Sequence, residues 1–199
     1  IRIITIRCRA FCAAYHLFCT SEVHDMKKTI RDIDWSDKTA VVRCDFNVPL
    51  VNGKISDDTR IVAALPTINY LRDNGAKIVI LSHLGRPKGE PNDDFSLHPV
   101  AERLSEKLGS HVNFIKSDLV VDDKVSEAVK NIAPSEVALL ENVRYRSEET
   151  KNDPTFAREL ASLGDVFVQE AFGTAHRAHA STTGIEYSRL YSCSVGIPD

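Results

Sequence analysis

Short, continuously apolar runs alternate with helix-periodic stretches along most of this chain, and that alternation restricts its possible folds more than any other feature. Thr39-Ala40-Val41-Val42-Arg43, Lys77-Ile78-Val79-Ile80-Leu81, Val112-Asn113-Phe114-Ile115, Val137-Ala138-Leu139-Leu140 and Asp165-Val166-Phe167-Val168 read as strands. A strand covered on both faces needs apolar residues on both, so it loses the polar alternation of a half-exposed strand. Between the strands, the stretch from about Thr59 to Asn74 places Ile61, Leu65, Ile68 and Leu71 near helical spacing, and Asn74-Gly75 ends it. Leu97 to Leu108 sets Val100, Leu104 and Leu108 on one helical face, and further helices are expected over Asp123 to Ile132 and Pro154 to Leu163. The order predicts an α/β fold, a parallel sheet with helices on both faces.

Such sheets gather ligands beyond the carboxyl ends of their strands. Polar segments stand at those ends: Arg43-Cys44-Asp45-Phe46-Asn47-Val48-Pro49, Ser82-His83-Leu84-Gly85-Arg86-Pro87, Glu141-Asn142-Val143-Arg144 and Ala171-Phe172-Gly173-Thr174-Ala175-His176-Arg177. Arginine presents a planar fork of donors that matches phosphate or carboxylate oxygens and stays charged at any relevant pH. Arg60, Arg86, Arg144 and Arg177 are therefore candidates to surround a small polyanion, with His83, His176 and His179 as further donors and Asp45 and Asn47 to hold a hydroxyl or orient an arginine. Gly85 and Gly173 allow close backbone approach. Taken singly, each has a plainer explanation, since an arginine after a strand is usually solvated and Asp45 with Asn47 can simply shape a turn. Cationic segments gathered on one sheet edge repel one another, and an anion offsets that repulsion.

The net charge of -3 argues against a general nucleic-acid binder. The five cysteines lack paired spacing in a chain long enough to need no staples, which points to a reducing compartment rather than a disulfide framework, and no metal pattern is legible among them. No G-x-x-x-x-G-K-[ST] loop, G-x-G-x-x-G turn, H-E-x-x-H or G-x-S-x-G motif is present. The ends differ from the middle. Residues 1–25 are apolar and basic, too interrupted to span a bilayer, and precede Met26, the single methionine, so they read as an upstream or non-native, unstructured segment, with an arginine-rich targeting peptide as the less favoured alternative. From Glu186 on, neither helical nor strand periodicity is legible.

The segments above, together with Asp58-Thr59-Arg60-Ile61-Val62-Ala63-Ala64-Leu65-Pro66-Thr67-Ile68, in this order and spacing, resemble phosphoglycerate kinase. The resemblance covers Met26 to about Ile185 and corresponds to the amino-terminal, substrate-binding domain of that family. It implies a Rossmann-like three-layer domain and a glycolytic phosphotransferase, which moves a phosphoryl group between 1,3-bisphosphoglycerate and ADP to give 3-phosphoglycerate and ATP. It implies that Asp45, Phe46 and Asn47 meet the glycerate, that Arg60 stabilises the transferring phosphoryl group, and that His83, Leu84, Gly85, Arg86, Arg144, His176 and Arg177 form a basic patch. The family uses Mg-ATP or Mg-ADP on a second domain. None is expected to bind tightly here, so the alternative is an anion-binding module that is inactive alone. A cytoplasmic monomer with no membrane or nucleic-acid partner is implied.

Two positions depart from the family pattern: Glu170 stands where aspartate is usual and Cys44 where an apolar residue is commoner. Codons can be chosen for Tyr191 to Asp199 that, shifted by one base, spell Ile-Pro-Ala-Val-Ser-Gly-Phe-Leu, a segment similar to the one the family carries after this motif. Residues 186–199 are accordingly expected to be a frameshifted tail.

Overall fold

The computed structural model describes residues 29–171, 173 and 177–186, and the backbone of 191–194. The expected upstream segment, His176 and most of the expected aberrant tail lie outside the described residues. In chain order the elements are β1 (Thr39–Arg43), a hairpin of β2 (Leu50–Val51) and β3 (Lys54–Ile55), α1 (Thr59–Asp73), β4 (Lys77–Leu81), α2 (His98–Leu108), β5 (Val112–Ile115), α3 (Asp123–Lys130), β6 (Val137–Leu140), α4 (Ser147–Thr150), α5 (Pro154–Ala161), β7 (Val166–Gln169), a π-type turn (Ala180–Gly184) and β8 (Tyr191–Ser194). Asp122 and Asp153 cap α3 and α5 by accepting from their first-turn amides, and Pro154 adds a residue already shaped for a helix start.

The sheet has six strands in the order β5-β6-β4-β1-β7-β8, and every neighbouring pair within it is parallel. From β1 the chain first builds outward through β4, then returns on the opposite side with β7, so the sheet reverses direction beside β1. Strand residues alternate between two cores. Val42, Ile78, Ile80, Leu139 and Val168 pack with Ile61, Ile68 and Leu71 of α1 and Val100 and Leu104 of α2. Val41, Val79, Leu81, Ala138, Leu140 and Phe167 pack with Val125 and Val129 of α3 and Phe156 and Leu160 of α5. Helices thus cover both faces, and the fold is the three-layer α/β arrangement that the alternation predicts.

β1, β4, β5 and β6 occupy the expected residues, whereas β7 lies one residue further on and α3 and α5 end earlier. Several elements go beyond the sequence expectation, α4 and the π-type turn among them, and two have a clear physical reason. The first is the β2–β3 hairpin, although Asn52-Gly53, both at positive φ, is the dipeptide that a two-residue hairpin turn favours. The second is β8, which pairs with β7 from Val166↔Tyr191 to Gln169↔Ser194. An edge strand can form through backbone bonds to one neighbour without a continuous apolar run.

Gly164 shows how closely the chain closes around β1. A Cβ there would lie 2.7 Å from Val41 Cγ2 and 2.8 Å from the Thr39 carbonyl oxygen, so backbone would have to move. Gly164→Ala is expected to lower stability by about 1–3 kcal/mol through overpacking, read as an earlier urea midpoint with an unchanged slope.

Candidate functional site

β6, β4, β1 and β7 lie side by side, so the loops leaving their carboxyl ends meet over the centre of the sheet, beside the reversal in strand order. They enclose a cavity of about 230 Å³ lined by Asp45, Asn47, Arg60, His83, Gly85, Arg86, Arg144, Gly173 and Arg177. Four of those residues are arginines and one is a carboxylate. A second hollow of about 320 Å³ adjoins it, sharing Arg86, Arg144 and Arg177 and adding Lys88, Arg146 and His179. Arg146 is engaged by Glu148 at 3.0 Å and stacks over Phe156, while Arg86 and Arg177 have no acidic partner among the described residues.

The loops are tied to one another by specific bonds. Ser82 Oγ donates to the Cys44 carbonyl at 2.9 Å and accepts from the Phe46 amide at 2.9 Å, joining the loops after β1 and β4. Asn47 Oδ1 accepts from the Gly85 amide at 2.8 Å. Asn142 Nδ2 donates to the carbonyls of Leu84 and Phe95 at 2.7 and 2.9 Å, and Arg144 Nη1 donates to Gly85 O at 2.7 Å. Arg144 is buried and its Nε has no hydrogen-bond partner, an unusual state for a donor inside a protein. Arg60, on the first turn of α1 and half exposed, reaches across to form an ion pair with Asp45.

Sequence reasoning gives no role to Arg43, the last residue of β1, yet its guanidinium is buried and organises the cavity floor. Its Nε donates to Ser181 Oγ at 2.8 Å, Nη1 to the Cys44 carbonyl, and Nη2 meets His83 Nδ1 at 3.0 Å. Burial pulls its pKa down, opposed by the nearby Glu149 and Asp45 carboxylates. Because a guanidinium only donates, His83 Nδ1 must accept, and its proton therefore sits on Nε2. Burial first, then Arg43, Arg144, His179 and Arg177, push the His83 pKa down to about 2. His83 is thus a neutral donor to the cavity it lines.

That depression carries a sign. An unfolded His83 takes a proton near its ordinary 6.5 while the folded one does not until about 2, so its contribution to stability is intact above 6.5 and is lost progressively as pH falls towards 2. His83→Gln is expected to remove about 2 kcal/mol of the stability loss between pH 6.5 and about pH 5, measured by urea unfolding at both values. An unchanged pH slope would contradict a neutral buried His83.

Of the residues expected at the site, Asp45, Asn47, Arg60, His83, Gly85, Arg86, Arg144 and Arg177 come together. Phe46 and Leu84 do not: their side chains are buried in the core beneath α1 and α2, because each alternates inward between neighbours that line the cavity. Cys44 is likewise buried, and burial raises its thiol well above its usual range, so it acts as a packing residue. Glu170 accepts from Thr67 Oγ1 at 3.0 Å, which seats the longer side chain against α1. Among the described residues, no group of three His, Cys, Asp or Glu could hold a metal ion, and no helix is long and apolar enough to cross a membrane.

The family model for phosphoglycerate kinase matches residues 30–196. The chain is similar to the phosphoglycerate kinase of Clostridium botulinum, 58% identical over 168 residues, which make up 84% of this chain and 42% of that one. To that of Finegoldia magna it is 54% identical over 170 residues. Among solved structures, phosphoglycerate kinase from Coxiella burnetii superposes with a TM-score of 0.75 at 40% identity, covering 85% of this chain and 42% of the other. The Pyrococcus horikoshii kinase gives 0.76 at 34% identity with the same coverage. The chain therefore spans about 42% of the length of the relatives it matches. On the match over most of its length, this chain belongs to the phosphoglycerate kinase family.

Proposed function

We propose that this chain is the 3-phosphoglycerate-binding half of a phosphoglycerate kinase, working with a nucleotide-holding portion outside these 199 residues in the reversible transfer between 1,3-bisphosphoglycerate and ADP. The observation that carries the reading is the cavity in which four arginines and the neutral donor His83 face a single carboxylate. Arg86, Arg144, Arg177 and His83 hold the 3-phosphate, with His176 assisting. Asp45 and Asn47 hold the glycerate, helped by the backbone beside Phe46 and Leu84, and Gly85 lets the ligand approach closely. In the ATP-forming direction the acyl phosphate loses its phosphoryl group to ADP and leaves a carboxylate. Arg60 moves from Asp45 to the transferring group and offsets its charge, since phosphoryl transfer asks for positioning and charge stabilisation more than covalent chemistry.

The magnesium nucleotide is donor or acceptor of the phosphoryl group, and we assign its binding to residues beyond this chain. Alone, the chain is then a module that binds 3-phosphoglycerate without turnover. As a member of a glycolytic family, and with a buried free thiol at Cys44, it is assigned to the cytoplasm as a monomer, with no nucleic-acid or membrane partner. Residues 186–199 are read as frameshifted, and a coding sequence that fails to spell Ile-Pro-Ala-Val-Ser-Gly-Phe-Leu in the shifted frame would refute that.

Calorimetric titration with 3-phosphoglycerate, paired with an ATP-dependent turnover assay with and without a supplied carboxyl-terminal domain, tests the reading. Saturable binding without turnover, and turnover restored by the added domain, is expected. Turnover by the chain alone would overturn the division of labour.

A further inference from the structure

Glu149 on α4 is fully buried, yet among the described residues it makes no direct ion pair with lysine or arginine. Its oxygens accept from the Ser181 amide at 2.9 Å and the Ser181 hydroxyl at 2.6 Å, and His179 Nδ1 lies 3.7 Å away. A hydroxyl has one hydrogen. Committed to Glu149, Ser181 Oγ can only accept on its other side, where Arg43 Nε donates at 2.8 Å. Arg43 then places Nη2 on His83 Nδ1 at 3.0 Å. The bonds form one continuous chain that holds Arg43 in place, from α4 through the π-type turn to the cavity.

We propose that Glu149 is a positioning residue for the anion cavity: through Ser181 it holds Arg43 where Nη2 meets His83 Nδ1, and so keeps His83 in the tautomer that offers Nε2–H to a bound phosphate. The inference rests on the reading that the cavity takes a phosphate-bearing anion. A carboxylate is required because only an acceptor at both oxygens meets both Ser181 donors. Glutamine in either orientation would point an NH₂ at one of them, so one of the two bonds that fix Ser181 beside Arg43 would be lost or reversed.

The test uses the whole chain, labelled with ¹⁵N, with His83 followed by multiple-bond proton–nitrogen spectra and 3-phosphoglycerate titrated in parallel. The unsubstituted chain is expected to hold His83 in the Nε2–H tautomer alone. Glu149→Gln, and the milder Ser181→Ala, are expected to give a mixture of tautomers and about tenfold weaker binding. Variants that keep the single tautomer and the original affinity, even if less stable, would reduce Glu149 to a support for the turn and overturn the proposal. One measurement needs no variant: the Arg43 Nε–H should exchange with water far more slowly than those of exposed Arg86 and Arg177, and rapid exchange would also overturn it. Failure of the unsubstituted chain to bind 3-phosphoglycerate would instead refute the anion reading, while the tautomer result stands by itself.

Discussion

Arg60→Ala is expected to lower phosphoryl transfer about a thousandfold once the nucleotide-holding portion is supplied, with 3-phosphoglycerate affinity falling by less than about tenfold. The asymmetry comes from where Arg60 sits. It lies at the rim, half exposed, on the first turn of α1 and already paired with Asp45, while Arg144 and His83 are built into the cavity wall. A side chain that must leave one carboxylate to meet the ligand gains little from ground-state binding. In the proposed role its charge acts on the transferring group, so the loss is expected in the rate. Steady-state kinetics beside calorimetry separates the two, and equal losses in rate and affinity would place Arg60 among the binding residues instead.

Arg43→Ala is expected to cost about 3–5 kcal/mol of stability, because it removes the buried cation whose charge, one hydroxyl away, offsets that of the fully buried Glu149. It also frees Ser181 and leaves His83 Nδ1 without its donor. Equilibrium urea unfolding measures the loss. A drop of under about 1 kcal/mol would contradict that account. Leucine at the same position is expected to recover little, since packing volume does not answer the buried charge.

The same residue marks the limit of what the sequence discloses. The five expected strands are legible because burial on both faces writes itself as uninterrupted Val, Ile and Leu, and the site's position is set by where those strands end. Arg43 closes such a run and reads as a solvated end. Only its partner Ser181, 138 residues away, shows why it is buried, and no local pattern carries that. Glu149 is hidden for the same reason, as one of two adjacent acids in Ser147-Glu148-Glu149-Thr150. Phe46 and Leu84 are the opposite case: alternation along Asp45-Phe46-Asn47 and His83-Leu84-Gly85 already turns them towards the core, although the motif as a whole groups them with the site. The β2–β3 hairpin is signalled by Asn52-Gly53, whereas β8 depends on backbone pairing with β7.

The central claim, that the cavity at the carboxyl edge of the sheet holds 3-phosphoglycerate, is tested most directly by amide NMR of the whole chain during titration with that ligand. Saturable shifts centred on Asn47, Gly85, Arg144 and Arg177 are expected, with the exposed outer face of α3 unchanged. No saturable shift, or shifts centred away from the cavity, would contradict it.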